Sequence, residues 1–96
     1  MSQIIVENAN TWRLSGELSF ATVGALLTEF TQRAAPTPPQ VLDLCDVTRT
    51  DSAGLALLIE LRGQTKNAPM TFRNIPAQML SLAILSGVEN IVARAS

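Results

Sequence analysis

The sequence predicts a single α/β domain with a mixed, mostly parallel sheet, and three observations lead to this prediction. Two short segments near the amino end, residues 3–7 and 11–15, have the apolar alternation of strands. Further along, segments with helical spacing alternate with short aliphatic runs, which gives the order β-β-α-β-α-β-α-β. A length of 96 residues allows one two-layer core and no second one. We therefore expect residues 1–96 to form one domain.

The first half of the chain predicts two strands followed by a helix. QIIVE at residues 3–7 is a short strand, and TWRLS at residues 11–15 places Trp12 and Leu14 on one face. ENAN between them is typical of a turn. An amphipathic helix over residues 20–34 follows from apolar residues at helical spacing, namely Phe20, Val23, Leu27, Phe30 and Ala34.

The middle of the chain predicts a central strand and a second helix. A stiff link, formed by Pro36, Pro38 and Pro39, leads into the aliphatic strand VLDLCDV at residues 41–47. A helix over about residues 52–66 follows. Helices between successive strands imply crossover connections, and these favour parallel pairing.

The last third predicts a strand, a helix and a final strand. PMTFRNI at residues 69–75 is typical of a strand, and a helix over about residues 76–86 starts with Pro76 at its first position. Gly87 is a helix-ending residue. ENIVAR at residues 89–94 is the candidate for the last short strand.

Charge and composition argue against several classes of partner. A formal net charge of −1 and scattered Lys and Arg residues do not suit nucleic acid or anionic lipid. The amino-terminal segment has neither the basic nor the apolar region of a signal peptide, and the single cysteine, Cys45, cannot form an internal disulfide. The apolar run LALLI is too short to span a bilayer. We expect a cytoplasmic protein without direct membrane insertion.

Known catalytic patterns are missing. The chain contains no histidine, which excludes a Ser-His-Asp triad and an H-E-x-x-H zinc site, and its glycines form no phosphate-binding loop. No cofactor is expected. Asp43, Asp46 and Asp51 lie close in sequence and are candidate Mg²⁺ ligands, but we favour the alternative in which the first two accept hydrogen bonds from backbone amides near a strand end.

The junction TRTDSAG is the candidate functional site, because parallel sheets usually bind ligands at the carboxyl ends of their strands. Asp51 or Ser52 can cap the following helix. Alternatively, the Ser52 hydroxyl can accept a phosphate at the helix start, or a partner can approach the small Ala53 and Gly54 closely. The candidate residues are Arg49, Thr50, Asp51, Ser52, Ala53, Gly54 and Leu55.

The second and third helices are apolar on nearly every side. Since a helix on a sheet buries one side, this excess predicts either exposed apolar surface for a partner or mutual packing of the two helices.

Two segments resemble the STAS domain family. TRTDSAGLALLIEL is similar to the family's D-S-x-G-L segment, and LSGELSFATVGALL is similar to its opening L-x-G-E-L segment. The resemblance implies the STAS fold over essentially the whole chain and a non-catalytic binding role. In regulatory STAS proteins the motif serine accepts a phosphate from a partner kinase, and Ser52 matches that serine. Many of these proteins carry an acid where this chain has Ser19.

Within the family, the chain most resembles the small STAS subunits of Mla phospholipid ABC transporters. This resemblance implies binding to the ATPase subunit in the cytoplasm, at the inner membrane, in support of transporter assembly and activity. The alternative is a soluble anti-sigma-factor antagonist, regulated by phosphorylation of Ser52, whose partner is an anti-sigma factor kinase. An enzyme of unrecognised type is a third hypothesis.

Overall fold

A computed structural model of the protein, which describes residues 2–34, 37–65 and 70–92, contains a four-stranded sheet and four helices. The strands lie in the order β1-β2-β3-β4, with β1 antiparallel to β2 and the other two pairs parallel. This confirms the predicted mixed, mostly parallel sheet. The elements are β1 (Gln3–Val6), β2 (Thr11–Leu18), α1 (Val23–Ala34), β3 (Val41–Thr50), α2 (Ser52–Gln64), β4 (Thr71–Arg73), α3 (Ala77–Leu85) and α4 (Glu89–Val92).

The predicted last strand is wrong, because Glu89–Val92 forms helix α4; residues 93 and 94 lie outside the described residues. Val88 is partly buried and Val92 fully buried against the core. Residues four apart share a face of both a strand and a helix, so their spacing does not distinguish the two. A helix keeps the pair about 6 Å apart along its axis, whereas a strand would separate them by about 13 Å. Both side chains therefore reach the same part of the core.

Several boundaries also differ from the prediction. Helix α1 begins at Val23, so Phe20 lies in the preceding loop. Strand β3 continues to Thr50, which places Arg49 in the strand as well. Pro76 is the N-cap of α3 and not its first residue. Lys66, the predicted end of the second helix, and Pro36 of the predicted link lie outside the described residues.

All the helices pack on one face of the sheet. The crossover connections from β2 to β3 and from β3 to β4 step in the same direction across the sheet. Because such connections have the same hand, they place α1 and α2 on the same side. One apolar core accordingly contains side chains from every element, including Ile4, Leu14, Phe30, Leu44, Leu58, Phe72, Met79 and Val92. The rings of Trp12 and Phe30 pack edge to face, with their centroids 5.3 Å apart. None of the helices in the described part of the chain is long and apolar enough to cross a bilayer.

The opposite face of the sheet is largely polar. Arg13, Asp43 and Arg73 are neighbours across β2, β3 and β4 and form a row of alternating charges. An Nη atom of Arg73 lies 2.7 Å from an Asp43 oxygen, and one of Arg13 lies 2.7 Å from Asp46. Glu7 lies within 3.9 Å of Arg73 and 3.4 Å of Arg13. The sheet thus needs no second helical layer to cover an apolar face.

The two apolar helices differ in how far they are covered. Helix α2 contacts α1, α3, α4 and β3. Of the two predicted alternatives, packing against neighbouring helices therefore describes most of α2. Ala53, Leu55, Leu57, Leu58 and Leu61 are all buried. The other predicted alternative, exposed apolar surface, is found at the end of α3, where Ile84 is 56% and Leu85 84% exposed.

Candidate interaction site at the carboxyl edge of the sheet

The predicted junction lies where β2 and β3 end side by side. Leu18 pairs with Thr50, and because the strands are parallel, both carboxyl ends meet at one edge of the sheet. From this edge the chain continues through residues 19–22 into α1 and through Asp51 directly into α2. The starts of two helices therefore lie together at the position where α/β sheets usually bind their ligands.

Asp51 is the residue that caps α2. Its backbone is extended, with φ −129° and ψ −167°, and its carboxylate accepts a hydrogen bond of 2.8 Å from the Ala53 N–H. Its own N–H donates to the Leu18 carbonyl at 3.1 Å, which ties the start of α2 to the end of β2. Of the two capping candidates, Asp51 has this role and the Ser52 hydroxyl is left available.

The glycine of the D-S-x-G segment, Gly54, is required by close packing against the ends of β2 and β3. A Cβ atom at this position would overlap the Thr50 hydroxyl and would lie 3.0 Å from the Leu18 Cβ and 3.1 Å from the Leu18 carbonyl oxygen. The Thr50 hydroxyl is buried there and donates to the Asp51 carbonyl at 3.1 Å. The close approach that a glycine permits is thus made by the chain's own strands, from the inner side of the helix.

The seven predicted site residues divide into two groups. Arg49 and Ser52 are exposed, and neither side chain has a hydrogen bond or ion pair within the part of the chain that the structure describes. Asp51 is half-buried. The residues that support the edge from inside are Thr50, Ala53, Gly54 and Leu55, all of them buried. In this conformation, Arg49 and Ser52 are the members of the set that a partner can reach most directly.

Phe20 is a surface residue that the helical spacing placed wrongly on the core side of α1. Its side chain is 80% exposed, in the loop that follows β2. The loop is closed by Thr22, whose hydroxyl donates to the Glu17 carbonyl at 2.8 Å and accepts from the Ser19 N–H at 2.9 Å. A serine and a threonine three residues apart after a strand are a turn signal, and here they delay the start of the helix until Val23.

The three aspartates of the possible Mg²⁺ site have separate partners. Asp43 is buried and accepts hydrogen bonds from Arg73 at 2.7 and 3.1 Å, from Asn74 at 3.0 Å and from the Cys45 N–H at 2.9 Å. Asp46 accepts from Arg13, and Asp51 caps α2. Within residues 2–34, 37–65 and 70–92, no three metal-ligating side chains are grouped to hold an ion. The hydrogen-bonding alternative therefore describes Asp43 better than the metal alternative.

The environment of Asp43 also sets the ionisation of its neighbours. Burial by itself would raise the pKa of Asp43, but the hydrogen bonds from Arg73, Asn74 and Cys45 outweigh it and lower the pKa to about 2. A hydrogen bond with this carboxylate is the main cause that raises the pKa of the Cys45 thiol. Since the thiolate is the nucleophilic form, the exposed Cys45 is poorly suited to covalent catalysis.

Comparison with known proteins places this geometry in a family. The family model described as "Mlab, STAS domain" matches residues 3–93. The chain belongs to the STAS domain family. STAS domains are protein-interaction modules and are generally non-catalytic.

Two solved structures share the fold of this STAS domain. The anti-sigma factor antagonist SpoIIAA in its unphosphorylated form has a TM-score of 0.65 and 14% identity, over 85% of this chain and 80% of that one. A protein named Mglu has a TM-score of 0.57 and 22% identity, over 79% of this chain and 20% of that one. A search of curated proteins found no match.

Proposed function

We propose that this STAS domain is a subunit, most similar to MlaB, that binds the ATPase of an Mla-type ABC transporter. Its role is to support assembly and activity of the complex in intermembrane phospholipid transport, which maintains outer-membrane lipid asymmetry. The observation that carries the proposal is the match of an Mlab-type family model to residues 3–93. In this proposal the protein is cytoplasmic and peripheral to the inner membrane, where the transporter complex holds it.

The carboxyl edge of the sheet supports binding as the mode of action. Ser52 presents an exposed hydroxyl on a helix start that Asp51 and Gly54 hold rigidly against β2 and β3. Because the backbone there is fixed before association, a partner loses little conformational entropy on docking. Arg49 adds an exposed guanidinium that is available for a carboxylate of the partner.

The second candidate function is that of a soluble anti-sigma-factor antagonist, and the free Ser52 hydroxyl favours it. A phosphate on Ser52 would lie at the start of α2, where the helix dipole favours negative charge. The Asp51 carboxylate, one residue away, would repel that phosphate. In this alternative the partner is an anti-sigma factor kinase, and phosphorylation of Ser52 would regulate binding.

Affinity capture of the tagged protein from its own cells, with mass spectrometry of the partners and of the intact bait, separates the two functions. We expect an Mla-type ATPase and permease together with unmodified bait. Recovery of an anti-sigma kinase, with part of the bait heavier by one phosphate, would support the antagonist function and overturn the transporter proposal.

Substitution of Ser52 tests whether this edge is the binding site. We expect Ser52→Glu to weaken ATPase binding by tenfold or more, about 1.4 kcal/mol, because a charged side chain is inserted at the contact. Ser81→Glu is the matched control, since Ser81 is an exposed serine on α3. Binding is measured by calorimetry with both variants folded. If Ser52→Glu bound the ATPase as tightly as Ser81→Glu, the interface would lie elsewhere.

A further inference from the structure

Phe20 differs from every other aromatic residue of the chain in its exposure. The chain has one tryptophan and three phenylalanines. Trp12, Phe30 and Phe72 are at most 7% exposed, whereas Phe20 is 80% exposed. Water-exposed aromatic rings are unfavourable for a soluble domain, and rings that remain exposed mark contact sites more often than polar surface does.

The loop that carries Phe20 is held in one conformation. The N–H groups of Thr22 and Val23 donate to the Ser19 carbonyl at 3.0 and 2.9 Å, in addition to the bonds made by the Thr22 side chain. The ring is therefore presented on a fixed backbone. An aromatic side chain has few rotatable bonds, so on such a backbone it gains contact area on binding at a small loss of entropy, which is the property of an interface anchor.

Phe20 lies at the same edge as Ser52. Leu18 and Asp51 are joined by a hydrogen bond of 3.1 Å, Phe20 is two residues beyond Leu18, and Ser52 directly follows Asp51. With Cα atoms about 3.8 Å apart along the chain, both side chains fall within a single protein contact. The ring is thus part of the surface already assigned to the partner.

The chemistry of this surface selects the kind of partner. The exposed residues of this edge that lie nearest to Phe20 along the chain or at the start of α2, Ala21 and Ser52, are uncharged, and Arg49 is the one cation among the candidate site residues. Phosphate-bearing partners such as nucleic acid or an anionic membrane need several cations at the contact, whereas Arg49 is a single one. An uncharged aromatic ring beside a hydroxyl fits an apolar pocket on a protein with a hydrogen-bonding group at its rim.

We propose that Phe20 is the anchor residue of the interface and inserts its ring into an apolar pocket on the ATPase subunit, with Ser52 at the rim of that pocket. The proposal rests on the proposed function and adds the residue that supplies most of the affinity. Hot-spot residues of this type are few in an interface and are often aromatic.

The test compares two phenylalanine variants with a matched control. We expect Phe20→Ala to weaken binding to the purified Mla-type ATPase about thirtyfold or more, and Phe20→Leu to weaken it less. Leu85→Ala is the control, because Leu85 is 84% exposed at the end of α3 and should change the affinity less than about threefold. Thermal unfolding of each variant should match that of the native chain, since both side chains are exposed.

Each other outcome has a distinct meaning. Equal binding by the native chain and Phe20→Ala overturns the anchor but leaves the transporter function standing. Equal losses of affinity in Phe20→Ala and Leu85→Ala also overturn the anchor, because the affinity would then depend on exposed apolar surface in general. No binding by the native chain overturns the proposed function and the anchor together. Self-association that is lost in Phe20→Ala, at unchanged ATPase affinity, would assign the ring to a second copy of this chain.

Discussion

Helices α2 and α3 have similarly apolar sequences but are built into the molecule in different ways. Helix α2 begins with a side-chain cap, the hydrogen bond from Ala53 to Asp51, and is packed against β2 and β3 at Gly54. Helix α3 begins at Ala77, after the N-cap Pro76, and has no side-chain cap; Asn74 before it lies in the left-handed region at φ +59°. The comparison teaches that apolar composition alone does not decide burial, which depends on how many neighbouring elements cover a helix.

The starts of the two helices are fixed by different aspartates. Asp51 fixes α2 through its own backbone and side chain. Asp43 fixes the approach to α3 from a distance, because it binds Arg73 and Asn74 at the end of β4. One start is stabilised locally, and the other depends on a contact across the sheet.

The largest expected effect comes from shortening one leucine side chain on each of the two helices. Leu58 on α2 is 0% exposed and Leu85 on α3 is 84% exposed. We expect Leu58→Ala to lower the free energy of unfolding by about 2–5 kcal/mol, through lost burial and the cavity left behind. Leu85→Ala should change it by less than about 0.5 kcal/mol. Urea unfolding measures both, and comparable losses would mean that the end of α3 is packed.

Two glycines of α2 provide the second test. We expect Gly54→Ala to destabilise the fold by about 1–3 kcal/mol, because the new methyl group would overlap the Thr50 hydroxyl. Gly63→Ala adds a methyl group with nothing within 4 Å and should instead stabilise α2 by up to about 1 kcal/mol. If both variants were stabilised equally, the close packing of α2 on β2 would be disproved.

The third test is the dependence of stability on pH. Because the pKa of Asp43 is lowered to about 2 from 3.8, its ionised form contributes stability above pH 3.8, and this contribution is lost as the pH falls towards 2. It amounts to at most about 2 kcal/mol, since Arg73 is half exposed and solvent screens the pair.

The matched variant is Asp43→Asn, which has no charge at any pH. We expect it to be less stable than the native chain near pH 6 and the difference in unfolding free energy to shrink between pH 5 and pH 2. A difference that stays constant over this range would show that Arg73 and Asn74 do not depend on the charge of Asp43.

The smallest effects distinguish the two candidate caps. Asp51→Ala removes the acceptor of the Ala53 N–H and should cost about 1 kcal/mol. Ser52→Ala should change the stability by less than about 0.5 kcal/mol, because the Asp51 cap remains. A larger loss for Ser52→Ala than for Asp51→Ala, measured by thermal unfolding, would give the capping role to Ser52.

Most of the architecture follows from short-range patterns in the sequence. The alternation around Trp12 and Leu14, the aliphatic run of β3 and the spacing within α1 predict those elements, because side-chain direction repeats every two residues in a strand and every 3.6 in a helix. The D-S-x-G-L segment likewise predicts the junction at which the candidate site lies. Gly87 predicts the end of α3, since its φ of +74° suits a residue without a Cβ atom.

Other features were decided by the tertiary structure. Val88 and Val92 fit a strand or a helix equally well, and their common position against the core selects the helix. Phe20 continues the helical spacing of α1 but lies outside the helix, because Ser19 and Thr22 close a turn before it.

By itself, the sequence determined the order of elements, apart from the last one, and the location of the candidate site. Only the tertiary structure decided which apolar side chains are covered and which remain on the surface. The physical reason is that secondary structure depends on neighbours a few residues away, whereas burial depends on elements that are distant in sequence. Leu58 and Leu85 are both leucines on apolar helices, and α1, α3, α4 and β3 surround the helix that carries Leu58.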